Sequence, residues 1–275
     1  MRDTSPELLD TAASEITIIN PPEKKFFVFM VIGILGGLLS GVFGVGGGII
    51  MVPLLMVWGS MDARQASATS LFVIAPTAVT GSITYGVNGY FLPLLATVVA
   101  LFALIGSFAG SMLLGRANAT ALKWSFVGLQ IVAGVALLID VPVPHAIGEE
   151  NSLVLYAGVA LLGLVAGSFS SFFGAGGGIL LVPFLILAGW SDLEAKSISL
   201  LALIPASISG TVSNYRAKRL NMVKGWSMIL PAAAGSLCGA LLATNIDPAV
   251  SRLSLAILAF TFAVAMTIAA LKDRP

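Results

Sequence analysis

The chain has 275 residues, of which 57% are hydrophobic and only 10% charged, with a net charge of +1. Soluble domains carry about 25% charged residues, and a core of this size cannot hide so much apolar side chain from water, so the composition points to an all-α polytopic membrane protein. The near-neutral balance excludes a nucleic-acid partner. The single cysteine, Cys238, excludes a disulfide framework and a thiol metal cluster.

Residues 1–22 are polar and mixed. They lack the ordered basic, apolar and small-residue regions of a signal peptide, and residues 1–25 read as a cytoplasmic N-terminal tail. Apolar segments follow at 26–43, 49–58, 66–85, 91–114, 121–139, 153–173, 179–189, 195–213, 226–243 and 250–271. Most could cross a hydrocarbon core of about 30 Å at about 1.5 Å per residue. The runs 49–58 and 179–189 are too short and reach about half-way. Cys238, inside an apolar segment, is expected to be a small buried residue, and His145, beside Pro142 and Pro144, a surface loop residue.

Each short run follows a glycine break. Gly44-Val45-Gly46-Gly47-Gly48, with Pro53 beyond it, recurs 130 residues later as Gly174-Ala175-Gly176-Gly177-Gly178 with Pro183. Between 33–57 and 163–187, 12 of 25 positions are identical, including Gly33, Gly37, Ser40 and Phe43. Asp62 matches Asp192, Ser67 matches Ser197, and at an offset of 129 Gly106 matches Gly235. The expected organisation is a first transmembrane repeat at 26–140, an inter-repeat loop at 141–152 and a second repeat at 153–271. Internal duplication is a common plan of secondary transporters, with the site at the repeat interface.

The loop charges bear on orientation. If each broken pair makes one crossing, nine lysines and arginines fall inside and five outside. If each break folds its pair into a hairpin, three full crossings per repeat remain and the second repeat is inverted. Arg64, Arg116 and Lys123 then move inside, and the division becomes 12 to two, with Lys196 and Arg252 outside. The positive-inside rule favours inverted repeats, each a glycine-broken hairpin plus three transmembrane helices, with both termini cytoplasmic.

A break in bilayer-embedded backbone is tolerated only inside protein or at a watery cavity. A helix starting near Ile49 leaves its first N–H groups without helical partners, and these donors, with the positive end of the helix dipole, suit an anion. Pro53, read as lying in the first turn, costs little there. No lysine, arginine, aspartate or glutamate is expected within the spans, so dipoles, N–H groups and hydroxyls must do the binding. The candidate substrate-binding residues are Ser40, Gly44, Gly46, Gly47, Gly48 and Thr69 in the first half, and Ser170, Gly174, Gly176, Gly177, Gly178 and Ser199 in the second. Ser70, Ser171, Ser197, Gln130 and Asn214 are further polar candidates, although hydroxyls in membrane helices also cap carbonyls or pack as small residues. Gly33/Gly37 and Gly106/Gly110 read as close-packing stripes, Asp62 and Asp192 as helix N-caps at the membrane surface.

The duplicated motif and the two halves around it resemble the TauE/SafE (4-toluene sulfonate uptake permease) family over about residues 26–271. The resemblance implies transport of sulfite, sulfoacetate or a related sulfonate across the bacterial cytoplasmic membrane, with export favoured for sulfite by the inside-negative potential. A passive anion channel, or a carrier of a non-sulfur organic anion, would use the same features. An intramembrane enzyme, the third hypothesis, fares badly: there is no HExxH, no intramembrane aspartate pair, and the one histidine, His145, falls in a loop away from any candidate serine. The expected partners are a small anion and the lipid bilayer, with no metal and no cofactor.

Overall fold

The computed structural model describes residues 22–113, 119–138, 153–173 and 177–272. The loop 141–152 with His145, most of the tail, and Gly174 and Gly176 lie outside them. The described residues form ten helices and no strand: α1 (Pro22–Phe43), α2 (Gly48–Val57), α3 (Ala63–Val87), α4 (Pro93–Leu113), α5 (Ala119–Leu138), α6 (Leu153–Phe173), α7 (Gly178–Leu187), α8 (Asp192–Arg216), α9 (Met222–Ala243) and α10 (Pro248–Lys272). Among them α1, α3, α8 and α9 are long and apolar enough to cross a membrane, and α2 and α7, at 10 residues each, are not. Large apolar side chains such as Leu161, Leu230 and Val264 are exposed, as a lipid-facing surface requires.

Small residues set the helix directions. Gly33, Gly37 and Gly41 stand one turn apart on α1, and each lies against α9 backbone, at Met228, Ala232 and Ser236 respectively. The paired numbers rise together, so α1 and α9 are parallel. On the matching pair, Gly163 lies against Val99 and Gly167 against Ala103, so α4 and α6 are parallel too. A methyl group at any of these glycines would run into a carbonyl of the facing helix, which is why no larger residue serves there. Between α3 and α8 the order reverses: Gly81 faces Leu200 and Gly210 faces Leu71, so this central pair is antiparallel.

The first broken pair is a hairpin. Gly47 and Met51 both lie against Gly36 of α1, and Gly59, just past α2, lies against the Phe29 ring near the start of α1. Lys224 fastens that end, donating to the Gly59 carbonyl at 3.3 Å with its ammonium 5.4 Å above the Phe29 ring. The second pair starts in the same way, with Gly177 against Ala166, the residue matching Gly36.

Cys238 is exposed on α9, contrary to the expectation of burial. The face of α9 turned to α1 is carried by Gly235 and Gly239, and the intervening Cys238 is rotated off it.

Candidate functional site

Gly44 continues the last turn of α1, its N–H donating to the Ser40 carbonyl at 2.8 Å. Gly44, Gly46 and Gly47 then take φ of 69°, 85° and 67°, values that a side chain would strain. This lets the chain reverse within a few residues and start α2 with Gly47 as N-cap. Within the turn the Gly48 N–H donates to the Gly46 carbonyl at 2.8 Å, and Ile50 and Met51 donate to the Gly47 carbonyl at 3.2 and 3.0 Å. The N–H groups of Val45, Gly46, Gly47 and Ile49 take no part in this network, although all four residues are buried. Buried backbone donors are nearly always paired. A group of them at the positive end of a helix is a nest for negative charge.

The second break meets the first. At Gly178, the first residue of α7, an added methyl would lie 2.6 Å from the Gly44 carbonyl oxygen, 2.7 Å from the Val45 Cα and 2.8 Å from the Ser199 hydroxyl. Ser199 donates that hydroxyl to the Gly44 carbonyl at 2.7 Å, so α8 holds the first loop against the second. Thr69, which matches Ser199, is buried with an unpartnered hydroxyl. Leu180 and Leu181 donate to the Gly177 carbonyl, both at 3.1 Å. Gly177 caps α7 at φ −66°, unlike Gly47, and a side chain there would run into Ala166, whose carbonyl is the nearest group.

Ser40 and Ser170 match across the halves. They are 0% and 2% exposed, and neither hydroxyl has a hydrogen-bond partner. A methyl on Gly47 would lie 3.3 Å from the Ser40 Cβ, so this hydroxyl-bearing residue borders the nest. Gln130 on α5 is fully buried with both amide atoms unpartnered, and Ser197 is likewise buried and unpartnered. Asn214 instead donates to the Gly210 carbonyl at 2.9 Å.

Three expectations need correction. Pro53 and Pro183 are the sixth residues of α2 and α7, beyond the first turn, because the helices begin at Gly48 and Gly178. Each proline therefore leaves the carbonyl four residues back, at Ile49 and Ile179, without its intrahelical donor. Asp62 does cap α3, accepting from the Gln65 N–H at 2.9 Å, but the N-cap of α8 is Ser191, in a capping box with Glu194. Asp192 is instead buried. So is Lys196: it is 0% exposed and its ammonium pairs with Asp192 at 2.6 Å. Charge thus does lie inside a helix long enough to cross. Hydropathy averages over Lys196 because its neighbours are apolar, but the i, i+4 spacing of Asp192 and Lys196 is a helix ion-pair signal written in the sequence.

The family model described as "Sulfite exporter TauE/SafE" matches residues 9–137 and 159–275. Among curated proteins, the chain is similar to a probable membrane transporter protein of Xylella fastidiosa, 29% identical over 216 residues, covering 78% of this chain and 83% of that one. It is also similar to the probable membrane transporter protein YdhB of Bacillus subtilis, 24% identical with 78% and 88% covered. A probable membrane transporter protein of Methanocaldococcus jannaschii is 25% identical, with 68% and 71% covered.

Proposed function

Since the chain belongs to the TauE/SafE sulfite exporter family, and is thus a membrane transporter rather than an enzyme, we propose that it exports a small sulfur-containing anion, sulfite or an organosulfonate, by alternating access. The observation that carries this is the buried nest at the first break. Its N–H groups, which find no acceptor among the described residues, lie at the start of α2 and abut the start of α7, and the hydroxyls of Ser40 and Ser170 are buried without partners. The substrate-binding set is Ser40, Gly44, Gly46, Gly47, Gly48 and Thr69 with Ser170, Gly174, Gly176, Gly177, Gly178 and Ser199. Fixed N–H dipoles hold an anion at no cost in counter-charge, so release does not require an ion pair to be broken at the site itself.

The halves are read as inverted repeats, 26–140 and 153–271, joined by the loop 141–152. The antiparallel α3 and α8, the hairpin of α1 and α2, and the division of lysines and arginines support this. The same reading puts both termini on the cytoplasmic side of the cell membrane.

The test is uptake into proteoliposomes of sulfite, sulfate, sulfoacetate and a carboxylate of similar size. Saturable flux of sulfite or sulfoacetate with counterflow is the expected result. Flux that neither saturates nor shows counterflow would make the same site a pore, and no flux of any of the four would end the anion reading.

A further inference from the structure

We infer that Lys196, Asp192 and Ser251 form a second, one-sided station on the anion path, which takes a small oxyanion carrying one proton. This rests on the anion reading of the paired breaks. Lys196 is 0% exposed and Asp192 5%. Burying such a pair is costly, and apolar replacements are often as stable. The fold itself makes that comparison: 130 residues earlier the matching positions are Ala66, fully buried, and Asp62, an exposed cap. Packing therefore does not call for the charges.

Their position is specific. A methyl on Gly44 would lie 2.7, 2.8 and 2.9 Å from Cα, Cβ and Cγ of Lys196, so the lysine stem lies against the first break. Its head reaches back toward Asp192, the first residue of α8, and across to Ser251 on α10. The ammonium thus stands between the paired breaks and the face of the molecule at which α8 begins.

The cluster is also incomplete. An ammonium has three N–H donors. Lys196 gives one to Asp192 Oδ2 at 2.6 Å and one to Ser251 Oγ at 2.7 Å. Asp192 Oδ1 is buried with no partner. One donor and one acceptor are left on the same ion pair. A ligand that satisfies both offers an anionic oxygen to the ammonium and an O–H to the carboxylate. Hydrogensulfite has that form, whereas a sulfonate has three bare oxygens and no proton to give. An anion at this station shares Lys196 with Asp192 and moves on when the carboxylate takes the ammonium back. The first half has Asp62, Ala66 and Leu122 at the matching positions, so it has no such station.

Full-length protein in right-side-out and everted membrane vesicles tests this. The double variant Lys196→Met with Asp192→Asn removes both charges and orphans neither. It is expected to raise the sulfite KM about tenfold from the face where α8 begins, equivalent to about 1.4 kcal/mol, to leave the KM from the other face unchanged, and to keep the wild-type melting temperature. Methanesulfonate should inhibit wild-type sulfite uptake more weakly from the α8 face than from the other. Should the double variant not reach the membrane, Ser251→Ala is expected to shift the same one-sided KM. A folded variant whose KM is unchanged, or changes equally from both faces, overturns the station and leaves the paired breaks standing. A wild-type chain that moves no sulfite from either face overturns the anion reading and the station with it.

Discussion

Gly47 and Gly177 match in sequence, but not in what they require. Gly47 holds φ at 67°, where a side chain costs about 1–2 kcal/mol, and its Cα also faces the Gly36 carbonyl. Gly177 has an ordinary helical φ, with Ala166 against it. Valine at either position is expected to abolish flux while the protein still inserts. Alanine should separate them, with Gly47→Ala lowering the melting temperature more than Gly177→Ala; equal melting in detergent would contradict the strain assigned to Gly47. Ser40 and Ser170 make a second residue-level test. An unpartnered buried hydroxyl stabilises nothing, so Ser40→Ala and Ser170→Ala should leave thermal stability unchanged or higher by up to about 1 kcal/mol. The same substitutions should raise the KM for the transported anion. A fall in stability with unaltered KM would make these hydroxyls structural.

At the scale of elements, the hairpin of α1 and α2 brings the start of α3 back to the level of Phe29. In a Cys238→Ala background, cysteine at Arg64 is therefore expected to react with an impermeant thiol reagent only from the cytoplasmic face, and cysteine at Asn245 only from outside. Labelling of Arg64→Cys from outside would restore a full crossing for the pair α1–α2. Most of these elements were legible in the sequence. The glycine breaks, the half-length of α2 and α7 and the 130-residue repeat follow from composition and spacing alone. The helix starts were less so: hydropathy begins α3 at 66 and α8 at 195, where the helices begin at 63 and 192. The first turns carry the polar residues Arg64, Gln65 and Glu194, and the N–H groups of Gln65 and Glu194 are met by the caps Asp62 and Ser191. The buried pair of Asp192 and Lys196 was missed for the same reason, since a charge near a helix start reads as surface unless its partner one turn away is considered.

For the molecule as a whole, the sequence halves are not the packed bodies. α1 packs most extensively on α9, and α9 also packs on α3, whereas α4 packs on α6 and α8. Each half thus lends one helix to the other, and the two bodies, α1–α3 with α9 and α4 with α6–α8, meet along α3 and α8, where the breaks also touch. The alternating access proposed above would be a displacement along that seam, and a disulfide across it, from Gly81→Cys with Leu200→Cys, is expected to stop flux under oxidation and restore it on reduction. Undiminished flux in the oxidised protein would place the moving boundary elsewhere. For the export of a monovalent anion, an inside-negative potential of about 100 mV supplies about 2.3 kcal/mol. That sustains a gradient of about 50-fold, so dissipating the potential with valinomycin and potassium should collapse accumulation if no ion is co-transported. The exchange of helices also governs how the chain is made. When the ribosome has released α1, the α9 surface that covers Gly33, Gly37 and Gly41 is some 190 residues from being synthesised. Those glycines must spend the interval against lipid or an insertion factor. The first half alone therefore lacks the cover of its glycine face, and a cell that stalls translation before α9 should degrade it.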